Sequence, residues 1–208
     1  MTKSKDKRRR KNKGQVKDLG KEIEAMVGQR KKELSMLKDV ASVINRPLPL
    51  DQILQAVTEA ILETVPSAHR VVIHLCSEAA SILVPIASAQ RSQPRKRIPK
   101  EIIQTIVRRA AQEKRRIHIS DLRKEACVPN QKGELSLLIV PLISDQKAIG
   151  TLSMYGANVE AFTDHDQCLA EIFAGWAAIA IKKTQLRFEA EQSQEAALTF
   201  LATQAASA

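Results

Sequence analysis

The stretch SLLIVPLISDQKAIGTLSMYG, Ser136 to Gly156, constrains the fold more than any other part of the chain. Two short apolar runs flank a polar turn, SDQK, and that spacing suits an antiparallel hairpin. Each run is apolar at odd and even positions alike, which predicts strands covered on both faces, the centre of a sheet. Pro141 fits where a strand lacks a ladder donor or bulges, and Gly150 lets a neighbouring backbone approach closely. Nothing in the stretch is reactive, so it specifies a scaffold and function has to be sought elsewhere.

The rest of the chain supplies elements to pack around that hairpin. Residues 1–14, MTKSKDKRRRKNKG, have nothing to bury and are expected to be a disordered basic tail. Residues 15–46 read as a helix whose apolar positions Leu19, Ile23 and Met26 resume at Leu37, Val40 and Ile44. Arg30 and Glu33 interrupt that seam, a broken heptad suited to a partner along part of its length. NRPLPLD ends the helix, and Asp51 is placed to cap the next, QILQAVTEAILETV. RVVIHLCS and SILVPIASA then read as a β-hairpin. After the basic loop QRSQPRKRIPK come an amphipathic helix from Glu101 to Glu113 and a short strand, RIHIS. Beyond the central hairpin, Thr163 and Asp166 have capping-box spacing and open a long helix. Leu169, Ile172, Trp176, Ile179 and Leu186 keep one apolar face along it, with Lys183 between the last two. Residues 189–208 read as a helical extension.

With 208 residues and 44% hydrophobic content, one good core is expected. The net charge of +10 is uneven: residues 1–38 hold 14 Lys/Arg against 5 Asp/Glu, and residues 91–124 hold 12 against 3. Three scattered cysteines make neither a disulfide framework nor a zinc spacing, and point to a reducing, cytoplasmic compartment. No run approaches the roughly 18 apolar residues of a membrane helix, and the charged opening lacks a signal-peptide core.

In order, a helix, two strands, a helix-containing excursion, IHISD, the Ser136–Gly156 pair, FTDHD and a long apolar helix resemble a GAF domain across residues 47–188. The most specific part is Val140-Pro141-Leu142, a polar turn, Ile149-Gly150-Thr151-Leu152, and Phe162-Thr163-Asp164 opening the last helix. The resemblance implies an α+β fold: a central antiparallel sheet of five to six strands, the N- and C-terminal helices on one face, and loops and a short helix over a small-molecule pocket on the other.

Known chemistries of that family fit unevenly. Relatives that bind cyclic nucleotides resemble one another through Asn-Lys, a Phe and Asp-Glu. Here Phe162 and Asp166 match, but Gln167 replaces the Glu and Tyr155-Gly156 stand near the Asn-Lys place. Cys127 lies near one position of a free methionine sulfoxide reductase relay, and IPKEIIQTIVRRA offers it no cysteine partner. Val128-Pro129 after Cys127 departs from the His that follows a bilin-attaching cysteine.

The candidate pocket residues are His74, Cys76, Arg97, His118 and Tyr155. His74 and Cys76 share a face by period two, and His74 and His118 are the imidazoles placed to hold a ligand or a haem iron. Cys127, with Arg123 and Lys124 close by, is a candidate redox switch. Cys76 and Cys168 are expected to be core thiols. The cluster from Arg91 to Arg116 either steers an anionic ligand inward or is the wet face of a helix whose other side carries Ile102, Ile103, Ile106 and Val107.

The expectation is a non-enzymatic sensory or regulatory domain, a homodimer through its terminal helices. A small molecule or protein partner would bind it, and its output would be delivered in trans. No residues point to a particular cofactor. A different class of function, a basic accessory protein with a degenerate GAF core, would use Lys7, Arg8, Arg9, Arg10 and Lys11 on nucleic acid or an acidic partner. Six aromatic residues in the whole chain leave little for base stacking.

Overall fold

The computed structural model describes residues 2–44, 46, 48–77, 82–92, 98–125 and 133–206. The chain falls into two compact units, Met1–Asp39 and Val40–Ala208.

The first unit is the body of helix α1, Thr2–Ile44. Residues 2–14, expected to be disordered, are helical here. Their composition argues against burial, but a helix satisfies its own backbone without burying anything, and no proline interrupts the run. Ile23 and Met26 are exposed, and Gln29 and Arg30 both donate to the Glu33 carboxylate one turn on.

In the second unit the last turn of α1 buries Val40 and Ile44, and helix α2 follows at Leu50–Thr64. Pro49 holds the N-cap position of α2 with no side-chain capping bond. Asp51 is therefore not the cap that the sequence predicts; it sits in the first turn, where its charge still complements the helix dipole. Strands β1 (Ala68–Ser77) and β2 (Ile82–Gln90) form the first hairpin. Helix α3 (Lys100–Glu113), strand β3 (Ile117–Ile119) and the single turn α4 (Leu122–Glu125) make up the excursion. Strands β4 (Ser136–Ser144) and β5 (Lys147–Gly156) and helix α5 (Asp164–Ala206) complete the chain.

The five strands run in the order β2-β1-β5-β4-β3, antiparallel throughout. The Ser136–Gly156 pair is thus interior to the sheet, as its two-sided apolar pattern requires. Asp145 and Gln146, both with positive φ, form the two-residue turn between β4 and β5 that matches strand twist. Gly150 faces β1 so closely that a Cβ there would lie 2.2 Å from the His74 carbonyl oxygen.

Side-chain alternation divides the labour of the two faces. Leu138, Val140, Leu152 and Met154 lie on the face where α2 packs on β1 and β2 and α5 on β4 and β5. Leu137, Ile139, Tyr155 and Val72 lie on the opposite face, in one cluster with Ile106 and Val107 of α3. The predicted capping box starts α5: the Thr163 N–H donates to Asp166 Oδ2 at 2.9 Å, and the Asp166 N–H donates to Thr163 Oγ1 at 3.2 Å.

The side of α5 that packs on the domain is not the face expected at the dimer, that of Ile172, Trp176, Ile179 and Leu186. Leu169, Phe173, Ala174, Ala177, Ala178 and Ile181 face the domain, and the alanines let the helix lie close to the sheet. Ile172, Ile179 and Leu186 face outward, and half-buried Trp176 meets Phe173 edge to face. The helix runs on without a break, so residues 189–206 continue it, and every described side chain from Gln185 to Ala196 is exposed.

Replacing Gly150 with Ala forces a methyl group into the β1 backbone. The expected outcome is a loss of about 3 kcal/mol, the upper range for overpacking, read as a lower midpoint in urea unfolding with an unchanged slope.

Candidate functional site

Between the first hairpin and α3 lies a cavity of about 560 Å3. Period two along β1 puts Arg70, Val72 and His74 on its wall; Leu83, Ser88 and Gln90 come from β2, Tyr155 from β5, and Ile98, Lys100, Ile103 and Gln104 from the approach to α3 and its first turns.

A buried acid organises one side. Glu134 has no exposure. Its Oε1 accepts from Arg70 Nε at 2.7 Å and its Oε2 accepts from the backbone N–H of Ile98 at 3.1 Å. The Arg70 guanidinium carbon lies 3.6 Å from the centroid of the Tyr155 ring, a cation–π contact. Burial pushes the Tyr155 hydroxyl up to about 12, against the opposing pull of Arg70.

His74 stands apart from that network. Its residual exposure is 9%, and burial, with the Arg70 charge second, holds its pKa down at about 4. The ring is neutral at ordinary pH. Its Nδ1 is buried and meets no hydrogen-bond partner among the described residues. Directly across on β5, Thr151 has a buried Oγ1 in the same condition. Among the described residues His69 Nδ1, His118 Nε2 and Ser136 Oγ are buried in the same condition, so the pair is one of several such sites in the domain.

A second hollow, about 470 Å3, lies between α3 and the edge strand β3, with Glu101, Thr105, Arg109, His118 and Glu125 around it.

The structure separates the predicted residues. His74 and Tyr155 share the larger cavity; His118 belongs to the smaller one, and its ring meets Phe162 edge-on at 6.3 Å. The two histidines therefore do not form one ligand set for a haem iron. Cys76 shares the face of His74 but is exposed and is not among the residues that line either hollow. Cys168 is exposed too, because the neighbouring Leu169 and Ala170 take the buried side of α5. Neither is a core thiol. Arg97 and Cys127 lie outside the described residues. Lys7, Arg8, Arg9, Arg10, Lys11 and Leu19 belong to α1, and their side chains fall outside the described set. Leu37 is half-buried. Among the described residues no group of three or more His, Cys, Asp or Glu gathers as a metal site.

Sequence reasoning passed over Arg70 and Glu134, and took in Lys100 only as a member of the Arg91–Arg116 basic cluster. Arg70 was within reach, since it precedes His74 by four residues on the same strand face. Glu134 carries no local signal, because its partners lie 64 and 36 residues away in the chain.

An antiparallel sheet with two helices on one face and a cavity under a third on the other defines an α+β domain. A GAF-domain family model matches residues 47–182, and the chain belongs to the GAF domain family. It is similar in structure to the GAF domain of an Acinetobacter phosphoenolpyruvate-protein phosphotransferase, at 15% identity and a TM-score of 0.60, over 74% of this chain and 95% of that one. It is similar to the free methionine-R-sulfoxide reductase of Neisseria meningitidis in complex with its substrate, at 17% identity and a TM-score of 0.60, over 74% and 91%. A third likeness is to residues 122 to 287 of a methyl-accepting chemotaxis protein, at 18% identity and a TM-score of 0.55, over 71% and 97%. At these identities the likeness is one of fold. No curated protein sequence matches the chain. Among the described residues, no helix is long and apolar enough to cross a membrane.

Two measurements probe the site. Glu134→Ala strands Arg70 without its acid and should cost about 3–5 kcal/mol, whereas Glu134→Leu combined with Arg70→Met should cost clearly less; denaturant unfolding of both variants reads the difference. For His74, protonation favours the unfolded chain, where the pKa is near 6.5 and not about 4. Stability is therefore full above pH 6.5 and falls as pH drops toward 4, by about 2 kcal/mol at pH 5. His74→Gln should remove that component from the pH dependence of thermal unfolding.

Proposed function

We propose that the chain is a non-catalytic sensory or regulatory domain that takes a small molecule into the Arg70–His74–Tyr155 cavity and signals through a dimeric helical bundle. The observation that carries this reading is the cavity of about 560 Å3 between the first hairpin and α3, with Arg70, His74 and Tyr155 on its wall. With the His74 pKa near 4 and that of Tyr155 near 12, both groups stay in their neutral forms around neutral pH. Such groups suit binding better than acid–base catalysis, which works best with a pKa near the operating pH.

The route to an output follows from strand alternation. On β5, Tyr155 faces the cavity while Leu152 and Met154 face the α2/α5 side, so a change in how the sheet sits under α3 is felt by the packing of α5. A ligand shifts that packing only if it binds one arrangement better than the other. The far half of α5 supports a dimer: Ile179 is 57% and Leu186 51% exposed, on a helix that extends well past its contacts with the domain. Ile23 and Met26 supply a comparable exposed pair on α1. The few, scattered cysteines support a reducing cytoplasmic setting.

Light scattering on a sizing column tests the dimer. The expected mass is twice the 23.0 kDa of the chain, reduced to one chain by Ile179→Asp with Leu186→Asp. A wild-type monomer at micromolar concentration would remove the bundle from the proposal.

A further inference from the structure

Two copies of α5 can meet parallel or antiparallel, and the charges along the helix distinguish the two, an inference that rests on the dimer proposed above. Ile179, Lys182, Leu186 and Glu189 follow one another at steps of three and four residues, so they share one side of the helix. That side lies opposite Phe173, Ala177 and Ile181, which are buried against the domain. A notch of about 350 Å3 opens along it, where Ile143 from the end of β4 stands beside Ala178, Ile179, Lys182 and Leu186. Ile143 is 40% exposed, Ile179 57% and Leu186 51%. A contiguous aliphatic patch with charge beside it is the kind of surface that marks association.

The charge changes sign along the same helix. Residues 182–187 hold Lys182, Lys183 and Arg187 and no acid, whereas residues 189–195 hold Glu189, Glu191 and Glu195 and no cation. Part of this charge is answered within the chain: Lys183 donates to the Ile44 carbonyl, and Arg187 pairs with Glu191. On the apolar side stand Lys182, which meets the well-exposed Asp145 at 3.0 Å, and Glu189, which meets no cation among the described residues.

A parallel pair in register sets each residue against its own copy, Lys182 on the partner's Lys182 and Glu189 on the partner's Glu189, and like charges repel. An antiparallel pair with its two-fold axis beside Leu186 does the reverse. Lys182 lies four residues before Leu186 and Glu189 three after it, so each Lys182 comes to the partner's Glu189. We infer that this face of α5 docks a second copy of itself in antiparallel orientation. Each Leu186 enters the notch of the other chain, and two pairs of Lys182 with the partner's Glu189 flank the crossing. The domain contacts of α5 use the opposite stripe and are left as they are.

Sedimentation equilibrium on the full chain reads the dimer dissociation constant of charge-reversed variants. Lys182→Glu and Glu189→Lys each turn two attractions into two repulsions and should weaken the dimer about tenfold. The double variant rebuilds both pairs with their signs exchanged and should return to within about threefold of the unaltered chain. Cross-linking reads the orientation separately. The antiparallel pair brings Leu186 beside its own copy and holds the two exposed Cys168 side chains about 50 Å apart along the helices. With Cys76, Cys127 and Cys168 replaced by Ser, Leu186→Cys should form a disulfide-linked dimer on mild oxidation, and a chain that keeps Cys168 alone should not. Single reversals without effect, a double variant as weak as the singles, or a dimer linked through Cys168 overturns the antiparallel seat and leaves the dimer standing. A wild-type monomer overturns the seat and the dimer together, and leaves the face to a different partner.

Discussion

The architecture around the cavity depends on where one carboxylate is buried. Glu134 is fully removed from solvent, and an ionised acid in that position has to be met by a cation and by donors or the fold does not tolerate it. Arg70 and the Ile98 backbone meet it, and in doing so they tie three stretches together: strand β1, the connection that leads into β4, and the approach to α3. Tyr155 closes the arrangement by lying under the guanidinium. The cavity has its shape because α3 is anchored through Ile98 to an acid that cannot move without leaving Arg70 uncompensated. Ion pairs on the surface of this protein do no such work. Arg187 with Glu191 on α5, both well exposed, is worth a few tenths of a kcal/mol by comparison.

That anchoring explains why the two faces of the sheet behave differently. The α2/α5 face is closed by aliphatic and aromatic packing, with Leu54, Val57, Ile61 and Phe173 wholly buried and alanines allowing close approach. On the other face α3 covers only part of the strand surface. The Ile106–Val107 side of the helix seals against Leu137, Ile139 and Ile117, while its first turn stands over polar groups and open space. The same strands thus carry a closed layer on one side and a partly filled layer on the other.

Much of the scaffold was legible before the structure. The two-sided apolar pattern of Ser136–Gly156 placed its strands inside the sheet, and the Thr163–Asp166 spacing gave the start of α5, because both are local signals read over a few residues. Which residues of α5 pack on the domain was not legible. Alanines at 170, 174, 177, 178 and 180 form the buried stripe, and small residues are a weak hydrophobic signal beside Ile172, Ile179 and Leu186. The same weakness misplaced Cys76 and Cys168, whose burial depends on which neighbours take the inward positions. In the site, His74 and Tyr155 could be read from strand period. Glu134 could not, since a lone acid in a polar connection looks like any solvated loop residue until the fold delivers Arg70 to it.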